Sequence, residues 1–222
     1  MTVTRSAGVV AVMALAVVGA ACSSSTSTAK APTATAAPST TASVPAIVWP
    51  APADPMARAR AAGLEPETSE HLEYHVHAHL DVFVNGHRVT VPAGLGINIH
   101  DPGVHTFPNI AGATGYGGIN PPCDQVCISP LHTHDVSGVL HTESSTHKDN
   151  TLGQLFVEWG VKLDANCVDK YCAPTTKIAT YVDGAPYTGD PSKIDLANLK
   201  EIAIVVGTPP AHIPSVGDFS SL

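Results

Sequence analysis

His75, His77 and His79 stand at alternate positions, and His132, His134 and His141 recur in a second stretch that ends at Glu143. Of the twelve histidines in the chain, eleven fall between His71 and His147, a concentration that asks for a cause. Neutral imidazole is a good ligand for divalent transition ions. Imidazoles packed together without an ion repel one another if protonated and leave lone pairs unmet if neutral and buried, whereas one cation satisfies several at once. The alternative is a set of exposed histidines that titrate near neutrality and make a pH-responsive surface.

Tyr74 to Val84 alternates without a break, with Val76, Ala78, Leu80, Val82 and Val84 on one side and His75, His77, His79, Asp81 and Phe83 on the other. Period two means a strand with its apolar side toward a core. Residues two apart on such a strand lie about 6 to 7 Å apart, so an adjacent pair of these histidines can share an ion and the outer two cannot. Asn85-Gly86 and the alternating Val89-Thr90-Val91 complete a tight hairpin.

The second stretch, Leu131 to Glu143, has turn chemistry at Asp135-Val136-Ser137-Gly138 between two arms. With Val136-Ser137 as a two-residue turn, His132 pairs with His141. His132, His134, His141 and Glu143 then share a face. Three imidazoles there could hold a tetrahedral ion with one position open. An odd-numbered loop would send His141 to the opposite face.

The ligand type suits Zn or Cu in the divalent state. The only methionines, Met1, Met13 and Met56, fall outside the strand-rich region, which disfavours a thioether-rich Cu(I) site. Asp81 and Asp135 are candidates to orient imidazoles from behind, though Asp135 equally suits the first position of its turn. His71, His87, His100, His105, His147 and His212 lack this spacing logic, with His105 and His147 the nearest to it.

Two short helices are predicted: Met56 to Ala62, with Asp54 as cap, Pro55 at the first turn and Gly63 beyond, and Thr151 to Trp159, ending at Gly160. Asp101 to Pro122 reads as a long loop. Lys177 to Val182 and Glu201 to Val206 read as further strands, and Thr180-Tyr181-Val182-Asp183-Gly184 echoes Val82-Phe83-Val84-Asn85-Gly86. The expected fold is mainly β, an antiparallel sandwich or barrel of hairpins with one or two short helices. Of the cysteines, Cys123 with Cys127 and Cys167 with Cys172 are expected as two local disulfides outside the cytoplasm, a four-thiolate zinc site being the alternative.

Residues 1–21 have the layout of a signal peptide, too short in its apolar run to span a bilayer. Gly19-Ala20-Ala21-Cys22 resembles a bacterial lipobox, which makes Cys22 a lipidation site at the outer face of the cell membrane; ordinary cleavage near Ala21 is the other reading. Residues 22–47 are a Ser, Thr, Ala and Pro tether with too little apolar surface to fold, and 48–222 form the single domain. Nineteen acidic against eleven basic side chains, with no basic run, exclude nucleic acid as a natural partner.

The segment His75 to Gly86, the segment His132 to Glu143 and Thr151 to Gly160 together resemble an uncharacterised family of exported bacterial proteins. The resemblance covers about half the chain and implies a single exported domain without an assigned activity. The paired-strand histidines also look like the zinc site of α-type carbonic anhydrases, which the rest of the chain does not resemble. The leading expectation is a non-enzymatic metal-binding lipoprotein that sequesters, buffers or delivers Zn or Cu. A zinc-dependent hydratase or hydrolase with Glu143 or Asp135 as general base is the second. An envelope module with pH-sensing histidines is the third.

Overall fold

Strand β1 (Tyr74–Val84) is the axis of the molecule, paired on both sides along its length. A computed structural model describes residues 47–108, 112–220 and 222. The leader, Cys22 and the tether up to residue 46 lie outside the described residues. After helix α1 (Pro55–Ala61) and β1 come β2 (His87–Val89), β3 (His105–Pro108), β4 (Thr114–Gly117), β5 (Leu131–His132) and β6 (Val139–Ser144). Helix α2 (Leu152–Trp159), β7 (Cys167–Val168), β8 (Tyr171–Cys172), β9 (Ile178–Val182), β10 (Ala185–Tyr187) and β11 (Lys200–Val206) follow. No helix among the described residues is long and apolar enough to cross a membrane.

The fold is mainly β, with antiparallel pairing predominant and two helices. One seven-stranded sheet runs β10-β9-β11-β1-β6-β5, with β2 also on β1; β3–β4 and β7–β8 are separate ribbons. The hairpin logic of the sequence does not reveal one pairing. β11 joins β1 in parallel, from Ala78↔Lys200 to Val84↔Val206, because the chain crosses over through α2, β9 and β10 before it returns. Parallel neighbours cannot be joined by a tight turn, so no local motif announces them.

One face of this sheet is apolar. Ala78, Leu80, Val82 and Val84 of β1, Leu140 of β6 and Ile202, Ile204 and Val206 of β11 pack with Leu152, Leu155, Phe156 and Trp159 of α2. Both helices are capped as their sequences require. Asp54 accepts the Ala57 N–H, and Thr151 and Gln154 form a reciprocal capping box. The echoed segments are two copies of one device: Asn85-Gly86 (φ 51° and 81°) and Asp183-Gly184 (φ 50° and 76°) are both positive-φ hairpin turns.

The stretch Asp101 to Pro122, a loop by composition, contains the ribbon β3–β4. Its strands carry Gly, Pro and Thr instead of apolar alternation, which hides them from a periodicity argument. Cys123–Cys127 and Cys167–Cys172 are bonded as two local disulfides. The first sits in a small second core with Ile97, Val104, Ile119 and Ile128, beneath the segment that carries the ribbon.

Candidate metal centre

Sheet register arranges the histidines in rows on the face away from the helices. Across β1, β6 and β5 the pairing His77↔His141↔His132 forms one row, and His75↔Glu143 forms the next. His134, two residues beyond His132, extends the same face. The His132–His141 pairing is the one that a two-residue turn predicts; the actual connection is longer, with β5 ending at His132, but it keeps the same parity.

Four imidazole nitrogens converge on one oxygen. Glu143 Oε1 is 3.1 Å from His75 Nε2, 3.2 Å from His141 Nδ1, 3.8 Å from His132 Nε2 and 4.0 Å from His134 Nε2. The rings are close to one another as well, with centroids 4.3 Å apart for His134–His141, 4.7 Å for His132–His134 and 4.5 Å for His77–His141. Ligand atoms of His132, His134, His141 and Glu143 all lie within 4.8 Å of one another, as do those of His75, His77 and His141. These are groups that could hold a metal ion.

Backbone carbonyls set two of the tautomers. His132 Nδ1–H donates to the Ser129 carbonyl at 2.9 Å and His134 Nδ1–H to the Tyr116 carbonyl at 2.6 Å. A carbonyl only accepts, so each Nδ1 keeps the proton and each Nε2 presents a lone pair to the centre, the orientation that ligating histidines need. Tyr116 belongs to β4, so the Gly-rich ribbon is part of the site. A Cβ on Gly117 (φ +153°) would lie 2.6 Å from His134 Nδ1, and only glycine lets the ribbon approach this closely.

Charge disfavours this cluster standing alone. Burial, then the neighbouring His134, pushes the His132 pKa well down; burial, then His132, lowers that of His141. His77 is lowered to about 4 by burial and by His75, and His75 is lowered by burial and His134. Burial, with Glu70 nearby, raises Glu143 to about 8. His77, His132 and His141 are therefore neutral at pH 7, and a surface that titrates near neutrality cannot be built on His132 or His141. His132 Nε2, His77 Nε2 and Glu143 Oε2 are buried without a hydrogen-bond partner. With the protons of His132 and His134 held on Nδ1, their Nε2 lone pairs face a Glu143 that has at most one proton to offer, and His132 Nε2 stays unmet. A cation meets them together, and the donor set fits one.

His79, also expected as a ligand, lies in a separate group from the other histidines, with Asp81 and Glu201. Its row partner on β6 is Val139. His79 Nδ1 meets Glu201 Oε2 at 2.7 Å and Nε2 meets the Ser137 carbonyl at 3.0 Å, so both nitrogens donate. Burial would lower its pKa, but Glu201, with Asp81 behind it, outweighs burial and raises it. Asp81 pairs with Arg88 and backs no cluster imidazole. The ligand atoms of His79, Asp81 and Glu201 also lie within 4.8 Å of one another. With Arg88 as counter-cation and His79 doubly bonded, they form an ion network of their own, in which Glu201 Oε1 is buried without a partner. Asp135 takes its turn role, its Oδ1 accepting the Ser137 N–H.

The remaining histidines stand apart. His71 lies between Glu67 and Glu73, exposed His147 meets Asp149, and His105 meets the Asn120 carbonyl. Sequence reasoning missed Glu70, which accepts the Gly118 N–H at 3.0 Å and lines the pocket over the rings. It also missed the Ser129 and Tyr116 carbonyls. The acidic run Glu67, Glu70, Glu73 just before β1 is the one signal that could have flagged Glu70. The pocket, about 350 Å³, is lined by His75, His77, His134, His141, Glu143 and Phe107, among others.

No protein-family model matches the chain, and no curated protein or solved structure is significantly similar to it.

Proposed function

We propose that the protein is an exported lipoprotein, anchored through Cys22, that binds a divalent transition ion, Zn or Cu, for sequestration, buffering or delivery at the cell envelope. One observation carries the metal reading: four imidazole nitrogens aim at a single carboxylate oxygen, with buried His132 Nε2 and Glu143 Oε2 unpartnered. His132, His134, His141 and Glu143 are the ligands of choice, with the Ser129 and Tyr116 carbonyls behind two of them. The signal-peptide layout and Cys22 support the location. Purified protein incubated with Zn(II) or Cu(II) and freed of excess should carry stoichiometric metal by elemental analysis. Substoichiometric metal with both ions would sink the reading.

The open pocket favours a second reading, a metal-dependent hydratase or hydrolase, because a small substrate could reach the rings from solvent. Turnover of CO2 or a simple ester that is lost on chelation would support it. Metal-loaded protein without turnover would leave the binding role alone.

A further inference from the structure

The row register contains more ligands than one ion can use. His77, His141 and His132 stand opposite one another on three adjacent strands. Strands are spaced about 4.8 Å, so His77 and His132 are rooted roughly 10 Å apart with His141 midway. A tetrahedral ion with Zn–N bonds of about 2.0 to 2.1 Å takes four donors. The six side chains divide into two sets whose ligand atoms are mutually within 4.8 Å, and only His141 belongs to both.

The second set has its own mark of a ligand site. His77 Nε2 is buried without a partner although His77 lies toward the pocket, and His75 Nε2 faces Glu143 Oε1. The two sets also differ in access. His132, His141 and Glu143 are buried, whereas the His75 side chain is 32% exposed at the wall of the 350 Å³ pocket. Glu70 lines the same pocket, and Glu143 adds negative charge there once its proton has passed to solvent on binding the inner ion.

We propose that the face holds two transition-metal ions, a retained inner one on His132, His134, His141 and Glu143 and an exchangeable outer one on His75 and His77, with His141 as the shared ligand. This rests on the metal reading above and adds to it a place from which an ion can be loaded or handed on. For His141 to bind both ions it uses both ring nitrogens, and its remaining N–H proton passes to solvent when the second ion binds.

The test is a titration of the full chain with Cu(II), read as equivalents bound, with electron paramagnetic resonance on the loaded protein. Two equivalents are expected, with a spin-coupled signal and the outer ion leaving first to a chelator. His75→Ala with His77→Ala should bind one equivalent and lose the coupling; His77→Asn, a milder change at a half-buried position, should do the same. One equivalent in the unaltered protein, or two equivalents that survive these substitutions, would overturn the two-ion proposal while leaving the inner site standing. No bound metal at all would overturn the underlying metal reading and this proposal with it.

Discussion

Two halves of one strand face put the same residue type to opposite uses. Midway along β1, His79 is enclosed by Glu201, Asp81 and the Ser137 carbonyl, with both ring nitrogens engaged. One turn of the alternation away, His77 and His75 face His141 and Glu143 with a buried nitrogen left unpartnered. In the first region both ring nitrogens of the histidine have protein partners, and the one buried atom left over is a carboxylate oxygen, Glu201 Oε1. In the second, ring nitrogens themselves are buried without partners, at His77 Nε2 and His132 Nε2. Spacing puts all three histidines on one face, and their neighbours across the strand differ: Glu143 for His75, His141 for His77 and Val139 for His79.

The sharpest way to break this contrast is His79→Ala. Removing the cation leaves Glu201 and Asp81 with Arg88 alone, and breaking a buried ion pair costs about 3 to 5 kcal/mol. Urea unfolding should show that loss while metal stoichiometry stays unchanged; a fall in bound metal without a stability loss would merge the two regions. His132→Ala should do the reverse. Metal affinity should drop by more than about 100-fold, beyond the 10- to 100-fold that loss of an outer partner costs, as competition with a chelating dye would report. The metal-free stability should move less than in His79→Ala.

A smaller effect is expected from Gly117→Ala, which pushes the ribbon against His134 Nδ1 and disturbs the carbonyl that orients it. Affinity should fall by about 10- to 100-fold, with the Tyr116 contact loosened. The smallest effect is on pH dependence, where His77 and His79 have opposite signs. His77, held at about 4 against 6.5 when unfolded, stays neutral while the unfolded chain takes up a proton, so metal-free stability falls as pH drops from 6.5 toward 4. His79, raised above 6.5, contributes stability that is fully present below 6.5 and lost as pH rises through its folded value. Glu143, at about 8 against 4.5, keeps its proton when folded, so its part of the stability falls as pH rises from 4.5 to 8. Thermal unfolding of metal-free protein should show that His77→Ala lessens the acid limb, to which His75, His132 and His141 still contribute, and leaves the alkaline one.

Much of this was legible before any fold was known. Alternation placed β1 to its ends, the Asn85-Gly86 turn fixed the first hairpin, and the parity of the loop after His134 put His132 opposite His141. What could not be read depends on long-range partners. Glu201 reaches His79 from 122 residues away, and the β11 pairing that carries it leaves no local signature. The Ser129 and Tyr116 carbonyls are backbone atoms and have no residue code to find. The grouping of His79 apart from His75 and His77 goes with an apolar row partner, Val139, whose register becomes visible only once β6 is laid beside β1.

The parallel β1–β11 pairing also bears on what steadies the centre. The strand that carries His75 and His77 is fastened just beyond them, from Ala78 to Val84, by residues 200–206, while β6 alone lies beside the histidines themselves. The rows of donors are thus braced from one end by a segment more than 100 residues further along the chain.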